Sequence, residues 1–232
     1  MKSKTTLVPA IAALSLVAGA ADADIVNTYA STGGTASYVT ISATNLSNGN
    51  TITLINPATS SLEVLLAAGS QVTFDSTLGE VTGFQFTGDM PTELEVTSGA
   101  LSGLDVNFSA LGLSPGTGFT SSSSGSNPYS ITLSPVDASG TYTLSGLITK
   151  NTPTTVSGAT SGITGTITTS GTAALQLTGI TLGDITEDGT TIALKGDIVF
   201  EGSPVPLPAA VWLLGSALGA VGIPFMKRRR TA

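Results

Sequence analysis

The chain has 232 residues, a formal charge of −7 at pH 7, only 10% charged residues, and neither Cys nor His. It therefore cannot carry a thiol nucleophile, an imidazole general base, a Ser-His-Asp triad, or a zinc site built on nitrogen or sulfur. Residues 25–204 contain thirteen acids, two Lys and no Arg, so this body of the chain carries a charge of −11. Polyanion binding requires Lys and Arg, and the composition therefore argues against nucleic acid as a partner.

The N-terminal segment is typical of a secretory signal peptide. Lys2 and Lys4 precede an apolar stretch at 7–20, which is shorter than the roughly 20 residues of a spanning helix. Two small-x-small triplets follow in succession, 18–20 and 21–23. We expect residues 1–23 to form a signal helix that signal peptidase removes. The cut is expected after Ala23, with Ala21 as the other small residue of the triplet, and Ala20 as the second choice.

The body alternates apolar and hydroxyl residues rather than following a helical period. Segments such as 38–42, 51–55 and 93–97 have the period of two that half-buried strands show. Such runs predict about ten to twelve short strands. We therefore expect an all-β fold, with a single antiparallel β-sandwich or jelly-roll-like domain over residues 24–203. Two small sandwiches joined near residues 120–128 are the alternative.

Turn-forming residues separate the predicted strands. Gly, Asn, Pro and Ser predict turns at 47–50, 98–99, 114–116, 138–140 and 187–189. The low-complexity segment 120–128 predicts an exposed loop. Residues 61–68 are the one place where a helical turn or two is expected, because Leu62, Leu65 and Leu66 would share a helix face. The Thr- and Gly-rich stretch 151–171 is either a second weak point of the body or a set of Gly-rich strands.

Two acidic groups are candidate sites. Asp184, Glu187 and Asp188 surround a predicted hairpin and could bind Ca²⁺ through carboxylate oxygens, although they lack the order of a calcium-binding loop and an Asp-Gly turn explains the same residues. Glu93 and Glu95 would lie on one face of a strand, about 6.5–7 Å apart, which permits a glycosidase pair. A solvated acidic face is the simpler interpretation, and no cofactor other than Ca²⁺ is expected.

The C-terminal tail, residues 204–232, has the features of a membrane segment. Residues 205–226 carry no charge, and Lys227, Arg228, Arg229 and Arg230 follow at once. Pro206 and Pro208 prevent a helix from starting before about Ala209. We expect a transmembrane helix over 209–226, roughly 27 Å long, with the basic residues as a cytoplasmic stop. A single-span anchor that is never cut is the alternative.

The order of elements in this tail resembles a known sorting signal. Val205, Pro206, Leu207, Pro208 and Ala209, then Trp212, a small-residue apolar helix and the basic cluster, resemble the VPLPA-CTERM variant of the PEP-CTERM proteins. The resemblance covers about the last 28 residues. It implies a Gram-negative bacterial protein that an exosortase recognises and cuts in the inner membrane. It also implies that the body is then exported to the cell surface or the exopolysaccharide matrix.

The sequence therefore predicts a non-enzymatic exported surface or matrix protein. Its processing partners are expected to be signal peptidase and the exosortase, with a transient stay in the inner membrane. Its final partner is expected to be extracellular polysaccharide or other copies of itself. The alternatives are a carbohydrate-binding or adhesin-like module, with or without Ca²⁺, and a carboxylate-dependent glycan hydrolase.

Overall fold

Antiparallel strands account for the regular structure of the protein. The computed structural model describes residues 26–57, 62–99, 101–147, 149–187 and 189–206, apart from the side chain of Asn151. No helix occurs in these ranges, so the prediction of an all-β body is confirmed. The strands are β1 (Val26–Ala30), β2 (Tyr38–Asn45), β3 (Thr51–Ile52), β4 (Leu54–Ile55), β5 (Glu63–Leu65), β6 (Gln71–Asp75), β7 (Glu80–Thr87), β8 (Thr92–Val96), β9 (Leu104–Ser124), β10 (Tyr129–Gly146), β11 (Lys150–Thr160), β12 (Ile163–Thr169), β13 (Ala173–Glu187) and β14 (Thr190–Pro204).

The strands pair into one large antiparallel sheet. Its order is β11-β10-β12-β13-β14-β1-β6-β7-β9-β8-β4, and β2 joins it through β14 while carrying β3 and β5. The long strands β9 and β10 also pair with each other. β10 changes neighbours along its length, since residues 129–133 pair with β12 and residues 136–144 pair with β11, and it thereby links these strands into the single sheet. The finer prediction, a sandwich or jelly roll, remains a prediction.

The core is one contiguous cluster of apolar side chains from nearly every strand. It extends in sequence from Tyr29 to Phe200 and contains residues from both sides of the 120–128 segment. The ring of Phe86 in β7 lies 5.3 Å from that of Phe200 in β14 and so joins two distant strands, and it lies 5.4 Å from that of Phe84 in its own strand. The alternation in the sequence produces this core directly, since every second residue of a strand faces inward.

Two of the predicted turns are wrong. Residues 114–116 and 138–140 lie inside β9 and β10, where the two strands pair with register shifts. Gly140 makes room for a neighbour instead of turning the chain, because a Cβ there would lie 3.1 Å from the Val156 side chain. The turns at 47–50 and 98–99 do occur, and Gly49 and Gly99 have the positive φ they require. At 187–189, Gly189 has a positive φ, while Asp188 lies outside the described residues.

Two other local predictions are also corrected. Residues 63–65 form a strand that pairs with β2, and Val64 is buried with Leu66, so alternation and strand pairing override the helical spacing of the leucines. Residues 120–124 belong to β9 and pair with 130–134 of β10, which leaves only 125–128 as an exposed hairpin loop. Serine side chains are small and polar, so they suit a strand whose outer face is exposed to water. A low-complexity run of serines can therefore pair as a strand here.

The Thr- and Gly-rich stretch forms strands that approach another strand very closely. β11 packs on β13 without strand pairing, and the amide of Thr181 donates a hydrogen bond of 2.7 Å to the hydroxyl of Thr160. A Cβ on Gly158 would collide with the carbonyl oxygen of Thr181, and one on Gly183 would collide with Val156. Glycine at 158 and 183 therefore allows the two backbones to touch.

Candidate functional site

The described chain ends inside the predicted sorting motif. Val205 is half exposed, and its amide donates a hydrogen bond of 2.8 Å to the carbonyl of Thr28 in β1. Pro206 is exposed and is the last described residue. The other residues of the motif and stop lie outside the described residues, namely Leu207, Pro208, Ala209, Trp212, Lys227, Arg228, Arg229 and Arg230, as do Ala21 and Ala23 of the signal triplet. The motif thus begins where strand pairing ends.

Among the described residues, no helix has the length and apolar character needed to cross a membrane. The predicted span at 209–226 lies outside those residues.

The predicted calcium ligands that are described do not come together. Asp184 is exposed, whereas Glu187 is half-buried and three positions further along β13, so the two side chains leave the strand on opposite faces. Glu187 is occupied by an ion pair, with 2.7 Å between its Oε1 and the Nζ of Lys150. No group of three or more acidic residues within the described ranges could hold a metal ion. The calcium hypothesis remains a prediction that depends on Asp188.

The Lys150 ion pair joins the start of β11 to the end of β13 beside a buried tyrosine. The side chain of Glu187 is 15% exposed, and Tyr142 is 2% exposed. Burial raises the pKa of the Tyr142 hydroxyl above its ordinary value of 10.0, and the Glu187 carboxylate raises it further against the opposing effect of Lys150. The hydrogen bond to Glu187 raises the pKa of Lys150 above 10.5. Lys150, Glu187 and Tyr142 therefore have a structural role at the end of β13.

We expect the free energy of unfolding to fall as the pH rises above about 10. Both raised pKa values mean that Tyr142 and Lys150 hold their protons more tightly in the folded chain than in the unfolded chain. Their contribution to stability is fully present below the unfolded pKa values of 10.0 and 10.5 and is lost as the pH rises through the folded values. Urea unfolding of the protein at about pH 8 and about pH 11 measures the effect.

The Tyr142→Phe variant is the test of this assignment, because it keeps the ring and removes the titrating hydroxyl. Its stability should decline less steeply between the two pH values. Lys150→Met should be less stable than the parent at about pH 8, whereas Lys195→Met should match it, since Lys195 is exposed and makes no ion pair within the described ranges. Equal alkaline losses in the parent and the Tyr142→Phe variant would contradict the role of Tyr142.

The two candidate glycosidase carboxylates lie on one face of β8, as predicted. Glu93 is exposed and pairs in register with Asn107, while Glu95 is half-buried and pairs with Asp105. Their partners in β9 are hydrogen-bonded to β10: the side-chain amide of Asn107 donates to the Ser145 hydroxyl, which donates to the Asp105 carboxylate. Neither of the two concavities that follow is lined by Glu93 or Glu95.

The larger concavity lies on the outer face of β9, β10, β12 and β13. It has a volume of about 430 Å³ and is lined almost entirely by hydroxyl residues and backbone: Ser122, Ser123, Ser124, Ser130, Ile131, Thr132, Thr164, Gly165, Thr166 and Thr178. Its lining contains no charged residue and no aromatic ring. We call it the hydroxyl concavity. The sequence does not predict it, because the uniform serine run 121–124 has no apolar alternation that would mark a strand.

A smaller concavity of about 140 Å³ lies near the end of β14. It is lined by Thr32, Gly33, Ala36, Ser37, Thr172, Glu201, Gly202 and Ser203. Glu201 carries the single carboxylate of this lining, but its contacts with Ser37 are made by its backbone. The Ser37 hydroxyl accepts a hydrogen bond from the Glu201 amide and donates one to the Glu201 carbonyl. These contacts fasten the segment before β2 to β14, which indicates a structural role.

Aromatic side chains do not form a binding platform in the described part of the chain, where each is buried or half-buried. Tyr129, the one nearest the hydroxyl concavity in sequence, packs its ring 5.2 Å from that of Phe74.

Comparison with known proteins gave no match to a family model, a curated protein or a solved structure.

Proposed function

We propose that this chain is a non-enzymatic protein of the cell surface or exopolysaccharide matrix of a Gram-negative bacterium, exported and then processed at its tail by an exosortase. The observation that carries the proposal is the order of elements in the tail. Val205–Pro206–Leu207–Pro208 and Trp212 precede an uncharged stretch that ends at four consecutive basic residues, Lys227 to Arg230. Anchoring alone requires an apolar stretch and a basic stop, whereas the proline motif and the Trp are additional.

The position of the motif relative to the fold supports this proposal. Val205 is hydrogen-bonded to β1. Pro206, which has no amide hydrogen to donate, is exposed immediately after it. From Val205 to the expected helix start at Ala209 the chain can extend at most about 14 Å. A processing enzyme in the membrane would therefore meet the motif as an exposed segment next to a folded body, which remains close to the membrane until the tail is cut.

The non-enzymatic part of the proposal rests on side-chain chemistry. The chain has no Cys or His, and of its candidate glycosidase pair Glu93 is exposed and Glu95 is half-buried on β8, with neither lining a concavity. Such a body, which we propose to be a sandwich-like domain, is suited to a structural role in a matrix. A carbohydrate-binding module is the second candidate, favoured by the hydroxyl concavity.

A double variant of the motif tests the sorting proposal. Pro206→Ala with Pro208→Ala should reduce the amount of protein recovered from the extracellular matrix at least tenfold and leave the full tail on the membrane-bound form. Pro153→Ala is the matched control, because Pro153 is an exposed proline within β11. Immunoblots of matrix and membrane fractions, with tail-specific peptides by mass spectrometry, give the readout. Unchanged matrix recovery of the double variant would contradict recognition through the motif.

A further inference from the structure

We propose that the hydroxyl concavity binds a strand of neutral polysaccharide. This inference rests on the proposed function, since it names the surface and the ligand class through which the body would associate with a matrix.

The concavity concentrates hydroxyl groups that have no side-chain partner among the described residues. Seven of its hydroxyl side chains make no side-chain hydrogen bond to any described residue: Ser122, Ser124, Ser130, Thr132, Thr164, Thr166 and Thr178. Some hydroxyls elsewhere on the sheet bond one another, such as those of Thr28 and Thr73, which lie 3.2 Å apart. Others, such as those of Thr117, Thr152 and Thr155, are also unpaired among the described residues but line neither concavity. Each free hydroxyl offers one donor and two acceptor sites. The concavity therefore presents a dense set of groups that can both donate and accept.

These hydroxyls are arranged in rows across the strands. Ser122 pairs in register with Thr132, which pairs with Thr164, and Ser124 pairs with Ser130, which pairs with Thr166. Neighbouring strands lie about 4.8 Å apart, so each row repeats its hydroxyls at that interval. A regular row of this kind suits an extended ligand with a hydroxyl group on every unit.

The lining carries no charge, although the body around it carries −11. A cationic ligand would be held better by the carboxylates elsewhere on the body, and an anionic ligand would need Lys or Arg, of which the body has only two Lys. The concavity is thus selective by chemistry for an uncharged polar ligand.

A protein partner is a poorer match for this surface. Cores of protein–protein interfaces are apolar and enriched in aromatic residues, Met and Arg. The only large apolar residue in the lining is Ile131, which is 2% exposed. With no apolar anchor to bury, a second copy of the chain would gain little here, whereas a polyhydroxylated chain can replace the water on every row.

The test is affinity electrophoresis of the protein in the form that the producing cell makes, in native gels containing dextran, a mixed-linkage β-glucan, a galactomannan or, as the anionic probe, alginate. We expect retardation by at least one neutral polymer, unaffected by salt, and none by alginate. The triple variant Thr132→Val, Thr164→Val and Thr166→Val should weaken the retardation at least tenfold, because it removes three hydroxyls from the rows. Valine keeps the shape and strand preference of threonine, so the urea midpoint should be unchanged.

The matched control replaces three exposed strand threonines outside the concavity, Thr117, Thr152 and Thr155, by valine, and should bind like the parent. Equal retardation of the two triple variants would overturn the assignment of the site. The ligand class would be overturned if none of the three neutral polymers retarded the protein. It would also be overturned if sedimentation showed that the first triple variant loses dimer formation instead of polysaccharide binding. Tail processing is measured separately by mass, so a failure here leaves the sorting proposal standing.

Discussion

Replacing Phe86 with alanine is expected to lower the free energy of unfolding by about 3–5 kcal/mol. Phe86 is completely buried in β7, and its ring packs on those of Phe84 and Phe200. Phe84 belongs to the same strand, whereas Phe200 comes from β14, so the truncation opens a cavity between strands that are far apart in sequence. Urea unfolding followed by circular dichroism measures the loss.

Leu78→Ala is the control for this variant. Leu78 lies between β6 and β7 and is 60% exposed, so its truncation should change the free energy of unfolding by less than about 0.5 kcal/mol. Similar losses in the two variants would contradict a core centred on the Phe86 ring.

Replacing Gly158 with alanine is expected to destabilise the protein by about 2–3 kcal/mol. Gly158 has no left-handed backbone angle, so its substitution introduces no φ strain. The added methyl would instead collide with the Thr181 carbonyl oxygen and lie 2.9 Å from the carbonyl carbon of Leu182. Backbone atoms cannot rotate away as a side chain can, and β11 and β13 would have to separate.

Gly83→Ala separates this collision from the general effect of adding a methyl group. Gly83 lies in β7, also without a left-handed φ, and nothing lies within 4 Å of the position of its Cβ. That variant should be neutral or more stable by up to about 1 kcal/mol, because alanine reduces the freedom of the unfolded chain. Equal stability of the two variants would contradict the close packing of β11 on β13.

The strands could be predicted from sequence because they depend on local alternation, but their lengths could not. The segments at 114–116 and 138–140 contain the residue types of turns, yet they lie within two strands of 21 and 18 residues. Gly140 is glycine because Val156 approaches it from β11, and such an approach depends on a strand that is distant in sequence. Secondary-structure propensity is a property of the residue alone, whereas here pairing with the neighbouring strand determines the conformation of the residue.

The candidate sites also differ in how far the sequence alone can predict them. The ion pair of Lys150 with Glu187 joins residues 37 positions apart, so no local motif could have predicted that Glu187 pairs with Lys150. The hydroxyl concavity depends on which strands are neighbours, because Ser122, Thr132 and Thr164 come from three strands. The predicted sorting motif is the opposite case, since all of its residues lie within positions 205–212.

Intact-mass spectrometry of the protein from the producing cells and from their extracellular matrix tests the central claim most directly. We predict that the matrix form begins after Ala20 or Ala23 and ends near Pro208, so that Trp212 and the basic residues Lys227 to Arg230 are absent. A matrix or membrane form that retains residues 212–232 as its final state would contradict exosortase processing and leave a β-domain held by an uncut membrane anchor.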